Sequence, residues 1–510
     1  MDNHVMQREL TRSEVLCFFA IALCVYSWPL ISVGYLYYDD VWRTYFSPAS
    51  WTAEGRLLIS PLYNAMGFNA DTPNVYPLPL VIAIGVMVFA LRYWVFKLFE
   101  RPTLSGCLVV LPIWYSPFFL QNLSYQYDGP AMVLGVVAVL YASVCQFNRA
   151  WQTLLVSSAL LAASLMLYQL SINLFIVLCC IWLIRKIIEK TPPVEVVTLL
   201  ASRVLALGMA VGLYVIGVSS LMNTERQGIL AFSYEGVLKV VTRMVQVLGN
   251  IDSVFPVALK LIMAALACMA FFGYVQLYRR LVRPSIKLRW GVCLSVAYLF
   301  IIPVAIFCIS GAALFFQEFN TGFRTFLGAS GVLVMVFYLS HEVLVSFRWW
   351  GGLVLMVPLM YCLSVSYGYG RVLTFQEDVE NSMLNRLAYD IGHSEVGRLN
   401  ILYMIPALSV VSPPAAQGLY RAMPVLKEIG AFGYVVLPEM LPRVGVDNVY
   451  MNRDPAIKSV LGNGQYQPVV ATADYEIYAV GETGYIVMKD VLAPVYDQAD
   501  SCAQRAVYSC

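Results

Sequence analysis

The feature that most constrains this chain is a recurrence of long apolar runs, each near the ~20 residues that an α-helix needs to cross ~30 Å of hydrocarbon. Such runs fall near residues 16–37, 77–97, 104–120, 130–147, 151–167, 170–185, 203–222, 256–277, 290–313, 325–343 and 349–367, which predicts about eleven spans. Only Tyr168, Gln169, Ser171 and Asn173 interrupt the fifth and sixth runs, so one long kinked pair is the alternative there. Composition agrees: 60% of the 510 residues are hydrophobic and 13% are charged, against ~25% charged in soluble domains. Hydrocarbon offers no water to backbone N–H and C=O groups, so runs of this length are helices. The expected fold class is an all-α polytopic membrane protein.

Arg8 and Arg12 precede the first run, which is too long for a signal-peptide core and shows no small-residue cleavage site, so it is expected to remain as an anchor. Short cytoplasmic loops carry the Lys/Arg excess. With the N-terminus inside, the inner loops hold Arg92, Lys97, Arg101, Arg149, Arg185, Lys186, Lys190 and Arg203, then a basic cluster at 279–289. The outer loop at 121–128 has neither Lys nor Arg. An odd number of spans then places residues 371–510 outside, in the periplasm of a Gram-negative cell. The expected division is a transmembrane domain over 1–370 and a periplasmic α/β domain over 371–510. The latter should contain helices at 376–391 and 414–429, strands at ILYMIPAL and YVVLP, and a hairpin of YEIYAV and YIVMKD joined by GETG.

In the loop at 223–255, Val237, Leu238, Val241, Met244, Val245 and Leu248 recur at helical spacing, with Lys239, Thr242, Arg243 and Gln246 on another face. That pattern suits a helix in the plane of the membrane interface, and equally a helix packed on the outer domain. The net charge of +2 leaves no basic footprint for nucleic acid. Most of the cysteines lie in or beside apolar runs as small buried hydrophobes, whereas Cys502 and Cys510 stand apart in the tail and are expected to form a disulfide.

Charge concentrates in residues 37–56, YYDDVWRTYFSPASWTAEGR, directly after the first run. Asp39, Asp40, Arg43, Trp51, Glu54 and Arg56 must face water or a wet cavity there. Adjacent helical residues diverge by ~100°, so Asp39 and Asp40 cannot both reach one atom. One would be a general base and the other its orienter, or both would cap the end of the first span. Arg43 and Arg56 could bind a phosphate, or pair with Asp40 and Glu54. In QNLSYQYDGP, Asp128 is a substrate ligand or an N-cap. Tyr168 and Gln169 could bind sugar hydroxyls or make core hydrogen bonds, and Arg324 and Arg226 could hold an anionic headgroup. His4, His341 and His393 are scattered, which argues against a histidine metal site. Asp39, Asp40 and Asp128 could hold a divalent cation through oxygen, though nothing requires a cofactor. No P-loop, GxSxG, HExxH or GxGxxG element stands in a suitable context.

The order YYDDVWR, WTAEGR, SYQYDGP and LYQLSIN resembles the type II glucosyltransferases that modify O antigen in Gram-negative bacteria and their phages, a family of the GT-C superfold. The resemblance implies a polyprenyl phosphate sugar donor, undecaprenyl phosphate glucose, and a lipid-linked O-antigen acceptor at the inner (cytoplasmic) membrane. It also implies that the first-loop acid is Asp39 or Asp40, with Asp39 in the leading position, and that Asp128 is the second-loop acid. Tyr168 and Gln169 match more loosely. The alternatives are a flippase or transporter of lipid-linked sugars and a non-catalytic glycan-binding scaffold. Transporters place ionisable groups near the midplane, whereas the middles of these runs are almost free of charge.

Overall fold

The structure is a computed structural model that describes residues 8–48, 50–218, 220–222, 228–285, 289–344, 351–407, 413–430, 437–452, 457, 460–461 and 465–489. His4, Arg226, Cys502, Cys510 and most of YVVLP lie outside the described residues.

Among the described residues, eight helices are long and apolar enough to cross a membrane: Arg12–Val33, Leu78–Leu98, Ala150–Leu167, Ser171–Ile188, Pro193–Val218, Val257–Leu281, Leu327–Leu344 and Gly352–His393. Two more expected spans are bent pairs, Leu104–Ile113 with Pro117–Leu123 at 60° and Trp290–Leu299 with Ile301–Phe307 at 40°. Counting each pair as one span gives up to ten by length and apolar content among the described residues, one fewer than the expected eleven. The first bend has a local cause, since the Ser116 side chain accepts from Phe118 N and Pro117 opens the new helix. At the second, Pro303 has no N–H to continue the ladder from the preceding helix.

The remaining expected span is the helix Asp128–Val144, whose 17 residues rise only ~25 Å. Nearly all of its side chains are buried, so protein rather than lipid surrounds it. The doubtful fifth and sixth runs are two separate helices, turned at Tyr168, where extended backbone ends Ala150–Leu167.

The chain divides into two compact units, Met1–Arg371 with Gly418–Ile429, and Val372–Gln417 with Gly430–Cys510. The division falls inside one continuous helix, Gly351–His393, where the sequence pattern suggested two. The helix expected over 414–429 is instead three short pieces, Pro414–Ala416, Gln417–Ala422 and Val425–Ile429, and Pro424 stands at the second interruption.

The second unit carries a five-stranded sheet of β1 (Ile401–Ile405), β2 (Val449–Met451), β3 (Val470–Ala471), β4 (Tyr475–Val480) and β5 (Thr483–Met488), in the order β2-β1-β5-β4-β3. Strand β1 runs parallel to both β2 and β5, and the expected hairpin is the antiparallel β4–β5 pair, with Val480 opposite Thr483. Leu437 and Pro438, from the expected YVVLP strand, begin a short helix, Leu437–Met440.

In the first unit, Gly34 ends the first span in the left-handed region (φ 65°), with its N–H on Leu30 O. The chain then makes three short helices, Asp40–Phe46, Trp51–Glu54 and Ile59–Gly67, before the next span. These short helices carry the charged stretch.

Candidate active site in the first interhelical loops

The divergence expected for neighbouring helical residues separates the two aspartates: Asp40 is wholly buried and Asp39, just before the helix Asp40–Phe46, is exposed. Asp40 Oδ2 accepts from Tyr37 N at 3.1 Å and Gln126 N at 2.8 Å, and Oδ1 accepts from Tyr127 N at 3.2 Å. The carboxyl therefore ties the loop after the first span to SYQYDGP. Gln126 returns the tie, its Nε2 donating to Gly34 O at 2.8 Å and Tyr35 O at 3.2 Å. Burial pushes the Asp40 carboxyl up to about 8; the backbone donors oppose that shift, and the Asp128 charge adds to it.

An amide at position 40 would turn a donor toward one of those N–H groups and leave it without an acceptor. Asp40→Asn is thus expected to lower stability by ~1–3 kcal/mol, the usual cost of an unsatisfied buried polar group. Thermal unfolding in detergent checks this, and an unchanged midpoint would dismiss the clamp. The Asp39 carboxylate, by contrast, accepts no hydrogen bond among the described residues.

Beside the clamp runs a line of alternating charge. Glu54 meets Arg43 at 3.5 Å and Arg56 at 3.4 Å, while Arg56 reaches Asp128 Oδ1 at 3.0 Å. The same Asp128 oxygen accepts from Trp51 Nε1 at 2.7 Å. Arg43 is fully buried, its guanidinium 4.4 Å from the Trp51 ring and 5.0 Å from Trp42, and Trp51 stacks on Tyr63 at 5.8 Å. Gly55 supplies the turn between Glu54 and Arg56: its φ is +76°, and a Cβ there would run into the Tyr214 hydroxyl. Both arginines considered for phosphate are thus held by carboxylates, with Glu54 and Asp128 as the partners rather than Asp40. Asp128 is the first residue of its helix but not the expected N-cap, which is Tyr127; its carboxylate neutralises Arg56 instead.

The looser candidates join loops together. Tyr168 donates to Arg324 O at 2.6 Å and accepts from Asn122 Nδ2 at 2.8 Å. Gln169 Nε2 donates to Glu54 O at 2.9 Å and Tyr214 OH at 3.0 Å. Arg324 is placed by its own N–H on Gln121 Oε1 at 2.8 Å, and its guanidinium donates to the Tyr125 hydroxyl, 5.3 Å from that ring's centre. Its side chain has no ion pair with a carboxylate among the described residues. Burial raises the Tyr125 phenol well above its usual value; Arg324 opposes this, and Tyr37, Asp39 and Asp128 add to it. Tyr125 also packs edge-on against the Tyr37 ring at 4.8 Å, which links Arg324 to the loop that bears Asp39.

Among the described residues no group of three or more His, Cys, Asp or Glu side chains gathers as a metal site. The considered trio does not converge, because Asp40 faces N–H groups and Asp128 faces Trp51 and Arg56. Sequence reasoning passed over Tyr125, Gln121, Asn122 and Tyr214. The first three stand in QNLSYQYDGP, where clustered amides in a loop without Lys or Arg were a usable signal. Tyr214, alone in an apolar run, offered none.

The family described as Glucosyl transferase GtrII matches residues 29–335, a stretch that includes Asp39, Asp40, Arg43, Glu54, Arg56, Asp128, Tyr168, Gln169 and Arg324. An uncharacterized 55.3 kDa protein in the gtrB 5′ region of Salmonella phage P22 is 24% identical over 392 residues, covering 73% of this chain and 78% of that protein. No solved structure matches the chain.

Proposed function

The chain belongs to the GtrII glucosyl transferase family, and from that premise we propose that it moves glucose from undecaprenyl phosphate glucose to a hydroxyl of lipid-linked O antigen at the periplasmic face of the inner membrane. A glycosyltransferase built on eight to ten apolar helices works where lipid-linked substrates lie. The observation that carries the reading is Arg324, a partly exposed guanidinium without a carboxylate partner among the described residues, bonded to Tyr125, whose ring meets that of Tyr37 at 4.8 Å, two residues before the exposed Asp39.

In this reading the donor phosphate meets Arg324, whose always-charged fork suits a phosphate monoanion or dianion. The acceptor oxygen attacks the anomeric carbon from the face opposite the phosphate while the bond from that carbon to the phosphate oxygen breaks. The electron pair leaves with the polyprenyl phosphate, where Arg324 receives the developing charge. Asp39 takes the hydroxyl proton, and the anomeric configuration inverts. Arg56 and Arg43 fix the loop bearing Asp39 and add positive potential at longer range. Tyr168 and Gln169 hold the surrounding loops.

The test supplies the purified chain, in lipid nanodiscs, with labelled polyprenyl phosphate glucose and lipid-linked O antigen, then reads product mass and linkage. One added hexose of inverted configuration is expected. A charge-assisted hydrogen bond contributes ~1.5–3 kcal/mol, so Arg324→Gln should weaken donor binding roughly 10- to 100-fold. Movement of the labelled lipid across the bilayer without addition to the acceptor would reject the reading.

A further inference from the structure

The 219–256 connection between the spans Pro193–Val218 and Val257–Leu281 contains the helix Tyr234–Ser253, started by Ser233, whose side chain accepts from Gly236 N at 3.1 Å. Its residues divide into three stripes. Gly236, Val240, Arg243, Val247 and Ile251, spaced by three or four residues, are buried or half-buried and face protein. Tyr234, Val237, Leu238, Val241, Val245 and Leu248 form an apolar stripe that is 43% to 84% exposed. Glu235, Lys239, Thr242 and Gln246 form an exposed polar stripe.

The protein-facing stripe is anchored through a charge. Arg243 donates to the carbonyls of Leu314 at 2.7 Å, Phe316 at 2.6 Å and Gln317 at 2.9 Å. The segment before the helix pairs with the same loop, Leu230 N on Phe315 O at 2.8 Å and Gln317 N on Gly228 O at 2.7 Å. That loop continues to Arg324.

Chain connectivity fixes where the apolar stripe lies. Only Val254, Phe255 and Pro256 separate the helix from the span that begins at Val257, so its end stays within ~10–14 Å of that span's mouth. Near the end of the other span, Tyr214 donates to Gly55 O at 3.2 Å, which puts the connection on the same membrane face as Asp39 and Arg324. A helix with one face on protein, one apolar and one polar, tethered at a bilayer surface, has the lipid interface as its apolar neighbour.

We propose that Tyr234–Ser253 lies in the plane of the membrane interface on the side of the active site, with Val237, Leu238, Val241, Val245 and Leu248 among the acyl chains of that leaflet. Through Arg243 it holds the 311–325 loop, and with it Arg324, at headgroup depth. The proposal needs only an embedded chain and does not depend on which sugar is transferred.

A benzoylphenylalanine at Val245 or at Gln246, adjacent in sequence but on different stripes, tests it in the full chain, reconstituted in nanodiscs of phosphatidylethanolamine and phosphatidylglycerol. After illumination, mass spectrometry should find lipid adducts at position 245 about tenfold or more above those at 246, as an interfacial helix requires. The same contrast is expected between Val237 and Lys239, so a single misfolded variant cannot decide the result. Equal lipid adducts on both stripes, or adducts at 245 and 237 chiefly to protein, whether to residues 372–510 of the same chain or to a second chain, would overturn the assignment.

Discussion

Asp39→Asn is expected to fold and melt like the parent protein while transferring sugar ~10²–10⁴ times more slowly, the usual contribution of a positioned general base. The carboxylate is exposed and accepts no hydrogen bond among the described residues, so an isosteric amide removes no native contact. The amide cannot take the acceptor proton. If donor binding rests on Arg324, the donor KM should stay near the parent value while kcat falls, the pattern of an interaction made in the transition state alone. Asp40→Asn should show the converse, a lower unfolding midpoint, because its carboxyl serves three backbone N–H groups. Transfer by Asp39→Asn within a few-fold of the parent rate would remove Asp39 from the chemistry.

Much of the architecture was legible because hydrocarbon imposes a length and an apolar content on every span. The β4–β5 hairpin was legible too, from alternating strands around GETG. The bend at Ser116–Pro117 was hidden by the apolar residues on both sides, although a Ser-Pro pair is itself a helix-start signal. The divergence of Asp39 and Asp40 follows from helix geometry alone. Which of them is buried does not, because it depends on N–H groups of Gln126 and Tyr127, more than eighty residues away. The same distance hides the partners of Arg56: Glu54 is local, but Asp128 stands 72 residues on. Arg324 was one weak signal among several outer arginines. Only the assembly of its loop on Gln121 and Tyr125 distinguishes it from Arg43 and Arg56.

Asp128→Ala is expected to cost ~3 kcal/mol of stability, the low end of the 3–5 kcal/mol seen when one partner of a buried ion pair is removed. The carboxylate is 2% exposed and the Arg56 side chain 19%, so water recovers part of what the arginine loses. Trp51 Nε1 also loses its acceptor, and Arg56 Nε already lacks a partner among the described residues. Asp128→Asn should cost less, because its amide oxygen can still accept from Trp51. Removing the stranded cation as well should return part of the loss, so Asp128→Ala with Arg56→Ala should destabilise less than the sum of the single changes. Denaturant unfolding of the four proteins in one detergent measures that coupling. Strict additivity, or Asp128→Asn abolishing transfer at parental stability, would replace this structural role with a direct one in the reaction.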